Sequence, residues 1–170
     1  ITTGGVSMGK FDFVYDAFTS IGVKFFINKI SQKPGKPIRI GKWAMGKGQK
    51  EQIGKGQNGK GKFTIVCALP GNPVSSVFCT DLYVKYILSL LTGMAVNISS
   101  AISETEVINN SSLDMFCLGK TFQDGTQIKV ESEKEIQSHL FHKYFEKNCY
   151  VKIPSHTIIK SGDEINIIKF

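Results

Sequence analysis

The stretch FTIVCALPGNPVSS, residues 63–76, decides the fold. Its first seven residues are nearly all apolar, which is typical of a strand covered on both faces by helices. Asn72 then offers an N-cap, and Pro73 suits the first position of a helix. The long apolar run that follows predicts a helix ending at Gly93. A buried strand that turns into a helix indicates an α/β fold with a ligand-binding loop at the carboxyl end of the strand.

The residues before this stretch also alternate between strand and helix patterns. The turn GGVSMG, residues 4–9, precedes a run with apolar residues at helical spacing, which Gly22 would cap. A second turn, KPGKP, lies at residues 33–37. Strands are predicted at residues 1–3, 23–27 and 38–44. The first half of the chain is therefore expected to form an α/β layer.

The pattern changes after Gly93 to short β-type runs separated by turns. These runs lie at residues 96–98, 113–116, 126–130, 149–153 and 164–170. They predict a small all-β barrel or sandwich. We therefore expect two domains, an α/β domain at residues 1–95 and a β-barrel domain at residues 96–170.

The net charge also differs between residues 1–95 and residues 96–170. The chain carries 21 Lys and Arg against 14 Asp and Glu, a net charge of +7. Residues 1–95 hold 13 basic and 4 acidic residues (+9), whereas residues 96–170 hold 8 and 10 (−2). We expect the basic half to bind an anion. Residues 45–62, MGKGQKEQIGKGQNGKGK, contain one isolated large apolar side chain after Met45, which predicts a flexible insertion.

Several classes of protein are disfavoured by composition. The longest apolar stretch is interrupted by Lys85 and is too short for a membrane span, and no signal-peptide pattern is present, so a cytoplasmic protein is expected. The four cysteines are widely spaced, which predicts buried, reduced thiols. His139 and His142 are the one close histidine pair, and no second pair of ligands accompanies them, so no zinc site is expected. Residues 45–62 contain no aromatic side chain to stack a base, so no specific nucleic acid is expected.

Three loops are candidate anion sites, although each has an ordinary structural interpretation when taken alone. The turn at residues 4–9 opens a helix, and its backbone N–H groups and the helix dipole would favour a phosphate. Lys29, Lys33 and Lys36 surround the Pro-Gly turn, and no acidic residue lies between Asp16 and Glu51. The loop LPGNPVS, residues 69–75, follows the buried strand.

The order of these loops, followed by a long helix and a small β domain, resembles the C-terminal part of the molybdopterin molybdenumtransferases, the MoeA and gephyrin E-domain family. Ser138, His139, Asn148 and Pro154 fall where the last domain of that family has similar residues. The resemblance implies the second half of a three-layer molybdopterin-binding domain followed by a β barrel. It covers nearly the whole chain.

The resemblance also implies an activity and a set of site residues. The family transfers molybdate onto adenylated molybdopterin and releases AMP, usually with Mg²⁺, and works as a dimer. Asp12, Lys29 and Lys33 would be catalytic, with Asp12 also holding the metal ion. The residues that would bind the pterin or phosphate are Gly4, Gly5, Ser7, Gly9, Lys36, Pro70, Gly71, Asn72, Pro73 and Ser75.

The sequence departs from the family pattern at several points. Lys10 and Leu118 stand where the family often has an acidic residue and an arginine, and residues 45–62 replace a short turn. By this alignment the chain starts inside the molybdopterin-binding domain, so the fragment alone is expected to be inactive. Three alternatives remain open: a gephyrin-like receptor-anchoring scaffold, a molybdopterin adenylyltransferase, and a basic phosphate- or nucleic-acid-binding module.

Overall fold

The computed structural model describes residues 1–6, 13–44, 63–93, 98–134 and 138–170, with only the backbone considered at residues 138–141. In chain order the described elements are β1 (Thr2–Thr3), α1 (Val14–Ser20), β2 (Val23–Ile27), β3 (Gln32–Lys33), β4 (Arg39–Ala44), β5 (Phe63–Leu69), α2 (Pro73–Cys79), a π-helical turn (Thr80–Val84), α3 (Lys85–Thr92), β6 (Ile98–Ser103), β7 (Val107–Asn109), β8 (Asp114–Asp124), β9 (Gln127–Ser132), a 3₁₀ segment (Ser138–Glu146), β10 (Cys149–Ile153), β11 (Thr157–Ile159) and β12 (Glu164–Lys169). The predicted insertion at residues 45–62 lies outside the described residues.

The described residues divide into two compact units. Unit 1 contains Ile1–Ile30 and Pro37–Gly71, and unit 2 contains Ser31–Lys36 and Asn72–Phe170. The helix after the PGNP loop and the short strand β3 therefore group with the β-rich part of the chain. The domain division predicted at residue 95 stays a prediction.

Unit 1 is built on a four-stranded sheet with the order β1-β5-β4-β2. β1 runs parallel to β5, whereas β4 runs antiparallel to both β5 and β2. Val66, Cys67, Ala68 and Leu69 of β5 are all buried, as the apolar run predicted. On α1, Tyr15 stacks on Phe25 of β2, with ring centroids 5.4 Å apart. This aromatic contact fixes α1 against the sheet.

Unit 2 contains a closed five-stranded barrel. Its strands follow the order β10-β12-β6-β9-β8, and pairing of β10 with β8 closes the barrel. β3 adds to β8 as a short parallel strand. The core of the barrel consists mainly of aliphatic and Cys side chains from Ala101, Val107, Cys117, Val130, Cys149, Val151, Ile153, Ile159, Ile165 and Ile167. The predicted fold class, an α/β region followed by a small all-β barrel, is confirmed.

The barrel unit includes elements that the sequence patterns missed. β7 and β11 form a separate two-stranded antiparallel sheet, and each has only three residues. A 3₁₀ segment precedes β10. Such short elements carry too few alternating positions to give a periodic signal. All four cysteines are buried, as predicted.

The helix that follows Pro73 was predicted as one continuous element, and it is interrupted by one π-helical turn. Asn72 caps it by accepting a hydrogen bond from the Ser75 N–H at 3.3 Å, and Gly93 ends it in the left-handed conformation with φ 75°. The Pro73–Thr92 run has a mean hydropathy of 1.4, so it is long and apolar enough to cross a membrane by length and composition alone, a property that core helices of soluble proteins share. Its last turns expose Leu90 and Leu91.

A cluster of aromatic rings joins α2 to the barrel within unit 2. The ring of Phe78 lies 4.9 Å from Phe116 and 5.0 Å from Tyr150, centroid to centroid. The Tyr150 hydroxyl donates a hydrogen bond to Asp81 Oδ2 at 2.7 Å. Lys85 pairs with the other oxygen of Asp81 at 2.7 Å. Burial raises the pKa of Tyr150 far above its ordinary value, so this hydroxyl stays protonated and remains a donor.

We predict that Tyr150→Phe lowers the free energy of unfolding by about 1–3 kcal/mol, because Asp81 loses a hydrogen bond inside the packed interface. Urea unfolding followed by circular dichroism measures the change. Tyr86→Phe, at an exposed tyrosine on α3, is the control and should change stability by less than about 0.5 kcal/mol. Equal stability of the wild type and Tyr150→Phe would show that the hydroxyl does not stabilise the interface.

Candidate functional site

Three strands of unit 1 end at the same edge of the sheet. β1 is parallel to β5, and β2 is also parallel to β5 because β4 runs antiparallel between them. The carboxyl ends of β1, β5 and β2 therefore meet at one edge. Open α/β sheets bind their ligands at this edge. The loops that follow these strands make up the candidate site, which we call the carboxyl edge: Gly4, Gly5 and Val6; Pro70 and Gly71; Asn28 and Lys29.

Two of the three predicted loops touch each other at the carboxyl edge. The Gly4 N–H donates a hydrogen bond to the Leu69 carbonyl at 3.0 Å. A Cβ atom added at Gly71 would lie 3.3 Å from the Gly4 Cα, which is closer than most Cβ contacts. Gly4 itself has φ 84°, a conformation that disfavours other residues. Glycine at both positions lets the two backbones approach and leaves this part of the edge free of side chains.

Arg39 connects two of the loops at the carboxyl edge, and no pattern in the sequence indicated this role. Its Nε donates a hydrogen bond to the Val6 carbonyl at 3.3 Å, and its Nη1 donates to Asn28 Oδ1 at 3.1 Å. The guanidinium carbon also lies 4.3 Å from the centroid of the Tyr15 ring. The planar fork of an arginine suits fixed acceptors in two directions together with stacking on an aromatic ring. Arg39 therefore holds Val6, α1 and the loop after β2 together.

Lys29 is the predicted catalytic residue that lies at the carboxyl edge. It follows Asn28, which Arg39 holds in place, and its side chain is exposed. The edge thus carries the positive charges of Lys29 and Arg39. Such an arrangement can bind an anionic group.

Lys33 and Lys36 lie in unit 2, in a turn that we call the lysine turn, Lys33–Lys36. Both side chains are exposed, whereas Gly35 between them is buried. A Cβ atom at Gly35 would lie 2.5 Å from Cys79 Sγ and 3.3 Å from the Phe78 ring. The backbone of the turn therefore lies directly on α2. Burial raises the pKa of the Cys79 thiol to about 12, so the group beneath the turn is neutral.

The remaining predicted residues have different placements. Asn72 and Ser75 belong to unit 2, where the Asn72 side chain accepts the hydrogen bond from the Ser75 N–H, and Pro73 occupies the first helical position. Ser7, Gly9 and Asp12 lie outside the described residues, so the prediction that Asp12 holds a metal ion is not addressed by the structure. Among the residues that are described, no three His, Cys, Asp or Glu side chains are grouped to hold a metal ion.

Comparison with known proteins identifies what this arrangement is similar to. A protein-family profile described as "Probable molybdopterin binding domain" matches residues 1–89. The molybdopterin molybdenumtransferase of Haemophilus influenzae is 26% identical over an alignment that covers all of this chain and 39% of that protein. The gephyrin of Dictyostelium discoideum is 30% identical over 89% of this chain and 19% of its own length.

A solved structure shows the same fold. The molybdopterin biosynthesis moea protein of Pyrococcus horikosii superposes on 99% of this chain with a TM-score of 0.66 and 19% identity. This chain covers 36% of that protein. The chain thus spans well under half the length of these relatives. The predicted resemblance to the C-terminal part of this family is confirmed.

We predict that Arg39→Met lowers the free energy of unfolding by about 1–3 kcal/mol, because it removes two charge-assisted hydrogen bonds and the contact with Tyr15. Urea unfolding followed by Trp43 fluorescence measures it, since Trp43 lies on the same strand. Lys42→Met, at an exposed cation one position along β4, is the control and should have little effect. Equal losses in both variants would assign the effect to charge and not to these contacts.

Proposed function

The chain belongs to the family of molybdopterin-binding domains, and from this premise we propose that the full-length protein acts in molybdenum cofactor biosynthesis. The proposed reaction is transfer of molybdate onto the dithiolene sulfurs of adenylated molybdopterin, with release of AMP. Molybdate and the pterin phosphates are all anions. The observation that carries the proposal is the carboxyl edge, where glycine loops meet beside Lys29 and Arg39.

The chemical properties of the carboxyl edge favour a bulky anionic ligand. Gly4 and Gly71 leave room for a phosphate or a pterin to approach the backbone closely. The positive charges of Lys29 and Arg39 offset the negative charge of such a ligand. In this proposal the edge binds and orients the adenylated pterin.

The lysine turn supplies the second part of the proposed activity. Lys33 and Lys36 extend from a turn whose backbone is packed on α2, so the backbone that carries these two cations has a defined position. A lysine ammonium is a compact charge that can bind a tetrahedral oxyanion without demanding a planar arrangement of acceptors. We assign oxyanion binding to these lysines.

Further features implied by the resemblance remain part of the proposal. The protein is proposed to act in the cytoplasm as a homodimer. Mg²⁺ is proposed to assist, with Asp12 as a ligand; in the part of the chain that the structure describes, no three His, Cys, Asp or Glu side chains are grouped to hold a metal ion. The resemblance to molybdenumtransferases extends over the whole chain, which favours this activity over adenylyl transfer.

We predict that Lys33→Ala in the full-length protein weakens molybdate binding about tenfold or more, because one charge-assisted contact to the anion is lost. Isothermal titration calorimetry with sodium molybdate measures the dissociation constant. Lys24→Ala, at an exposed lysine on β2, is the control for the change in net charge. If both variants bind molybdate as the wild type does, the lysine turn is not an oxyanion site.

We predict that Asp12→Asn abolishes molybdate insertion and leaves pterin binding largely intact, because a carboxylate that positions a metal ion or water is removed without changing the glycine turn. The assay combines turnover of adenylated molybdopterin with a separate measurement of pterin affinity. Asp16→Asn, on the exposed surface of α1, is the matched control. Full turnover by Asp12→Asn would remove this residue from the mechanism.

A further inference from the structure

The lysine turn is held by a buried side-chain amide. Gln32 precedes the turn and is only 2% exposed. Its Nε2 donates a hydrogen bond to the Pro34 carbonyl at 3.1 Å, and its Oε1 accepts one from the Tyr83 hydroxyl. The amide therefore links the backbone of the turn to a tyrosine that lies 51 positions further along the chain. Both ends of this link are inside unit 2.

Tyr83 occupies the π-helical turn that interrupts the long helix, Thr80–Val84. A π-helical turn contains one residue more than an α-helical turn and changes the direction of the side chains that follow it. Such turns occur frequently at functional sites. Here the irregular turn contains the tyrosine that meets Gln32.

The Tyr83 hydroxyl is a permanent donor. Burial raises the pKa of Tyr83 well above its ordinary value, and the neighbouring Cys79 contributes in the same direction. The hydroxyl therefore stays protonated throughout the physiological pH range. Because it donates to Oε1, the Gln32 amide is fixed with Nε2 facing the turn.

The turn also depends on its packing against α2. Gly35 has φ 90° and lies so close to α2 that a Cβ atom there would be 2.5 Å from Cys79 Sγ and 3.1 Å from Gln32 Nε2. The backbone of Ser31 accepts a hydrogen bond from the Asp114 N–H at 3.0 Å, which anchors the start of the segment to β8. The position of the lysine turn is thus set by the helix, the amide and the barrel strand.

We propose that Tyr83 is a positioning residue for the lysine turn and acts through Gln32 on the oxyanion affinity of Lys33 and Lys36. The inference rests on the proposed function, because it requires these lysines to bind the anion. Without the hydroxyl, Gln32 Oε1 would be buried without its donor, and the amide would reorient and release the Pro34 carbonyl. Lys33 and Lys36 would then extend from a turn that has lost the hydrogen bond fixing its backbone.

The test is Tyr83→Phe in the full-length protein, which removes the hydroxyl and retains the ring. We expect the dissociation constant for sodium molybdate, measured by calorimetry, to rise about five- to tenfold. Tyr86→Phe, at the exposed tyrosine three positions along the helix, should leave it unchanged. Thermal unfolding of each variant verifies that the protein remains folded under the conditions of the titration.

A double-variant cycle separates positioning from a general structural effect. In the Lys33→Ala background, Tyr83→Phe should weaken molybdate binding much less than in the wild type, because part of what it positions is already absent. An equal loss in both backgrounds would overturn the proposal. If Lys33→Ala weakens binding and Tyr83→Phe does not, positioning by Tyr83 is wrong and the oxyanion site stands; if neither does, both are wrong.

Discussion

The parallel alignment of β1, β5 and β2 is the constraint on which the candidate site depends. It brings three loops to one edge of the sheet although β4 runs in the opposite direction between two of the strands. The close approach of Gly4 and Gly71 is possible only because the strands before them end side by side. A substitution that shifted the β1 and β5 register would therefore separate the glycine loops and move the Val6 carbonyl that accepts the hydrogen bond from Arg39.

The function that we propose for unit 2 requires the exposed cations of the lysine turn to extend from a backbone of defined position. Lysine side chains have considerable conformational freedom, so the backbone that bears them must be fixed if they are to bind an anion efficiently. The lysine turn meets this need through contact of Gly35 with α2 and through the buried Gln32 amide. The aromatic packing of Phe78 and Tyr150 then ties α2 itself to the barrel.

Much of the fold could be predicted from sequence because strong local signals coincide with the elements. The apolar run at Phe63–Leu69 matches β5, and the Asn-Pro pair marks the start of α2. Contacts over long sequence separations could not be predicted in this way. The hydrogen bond between Gln32 and Tyr83 and the connecting role of Arg39 have no periodic signal, since each depends on where distant segments meet.

The same reasoning applies to the candidate site. Lys29, Lys33 and Lys36 could be found from the sequence because they cluster around a Pro-Gly turn without acidic neighbours, but their division between two compact units could not. That division arises because β3 pairs with β8 of the barrel and Gly35 packs on α2. A local pattern of charges does not contain either contact.

The contacts of Arg39 and the role that we propose for the lysine turn call for different side chains. The single arginine of the chain, Arg39, is engaged by two fixed acceptors and an aromatic ring, which matches the planar geometry of a guanidinium. A lysine ammonium is a compact, strongly hydrated charge, which would suit the oxyanion that we propose for the lysine turn. Exchange of the two residue types would therefore be unfavourable in both directions. A lysine at position 39 could not satisfy Val6 and Asn28 while stacking on Tyr15, and an arginine at position 33 would replace a compact charge by a planar group.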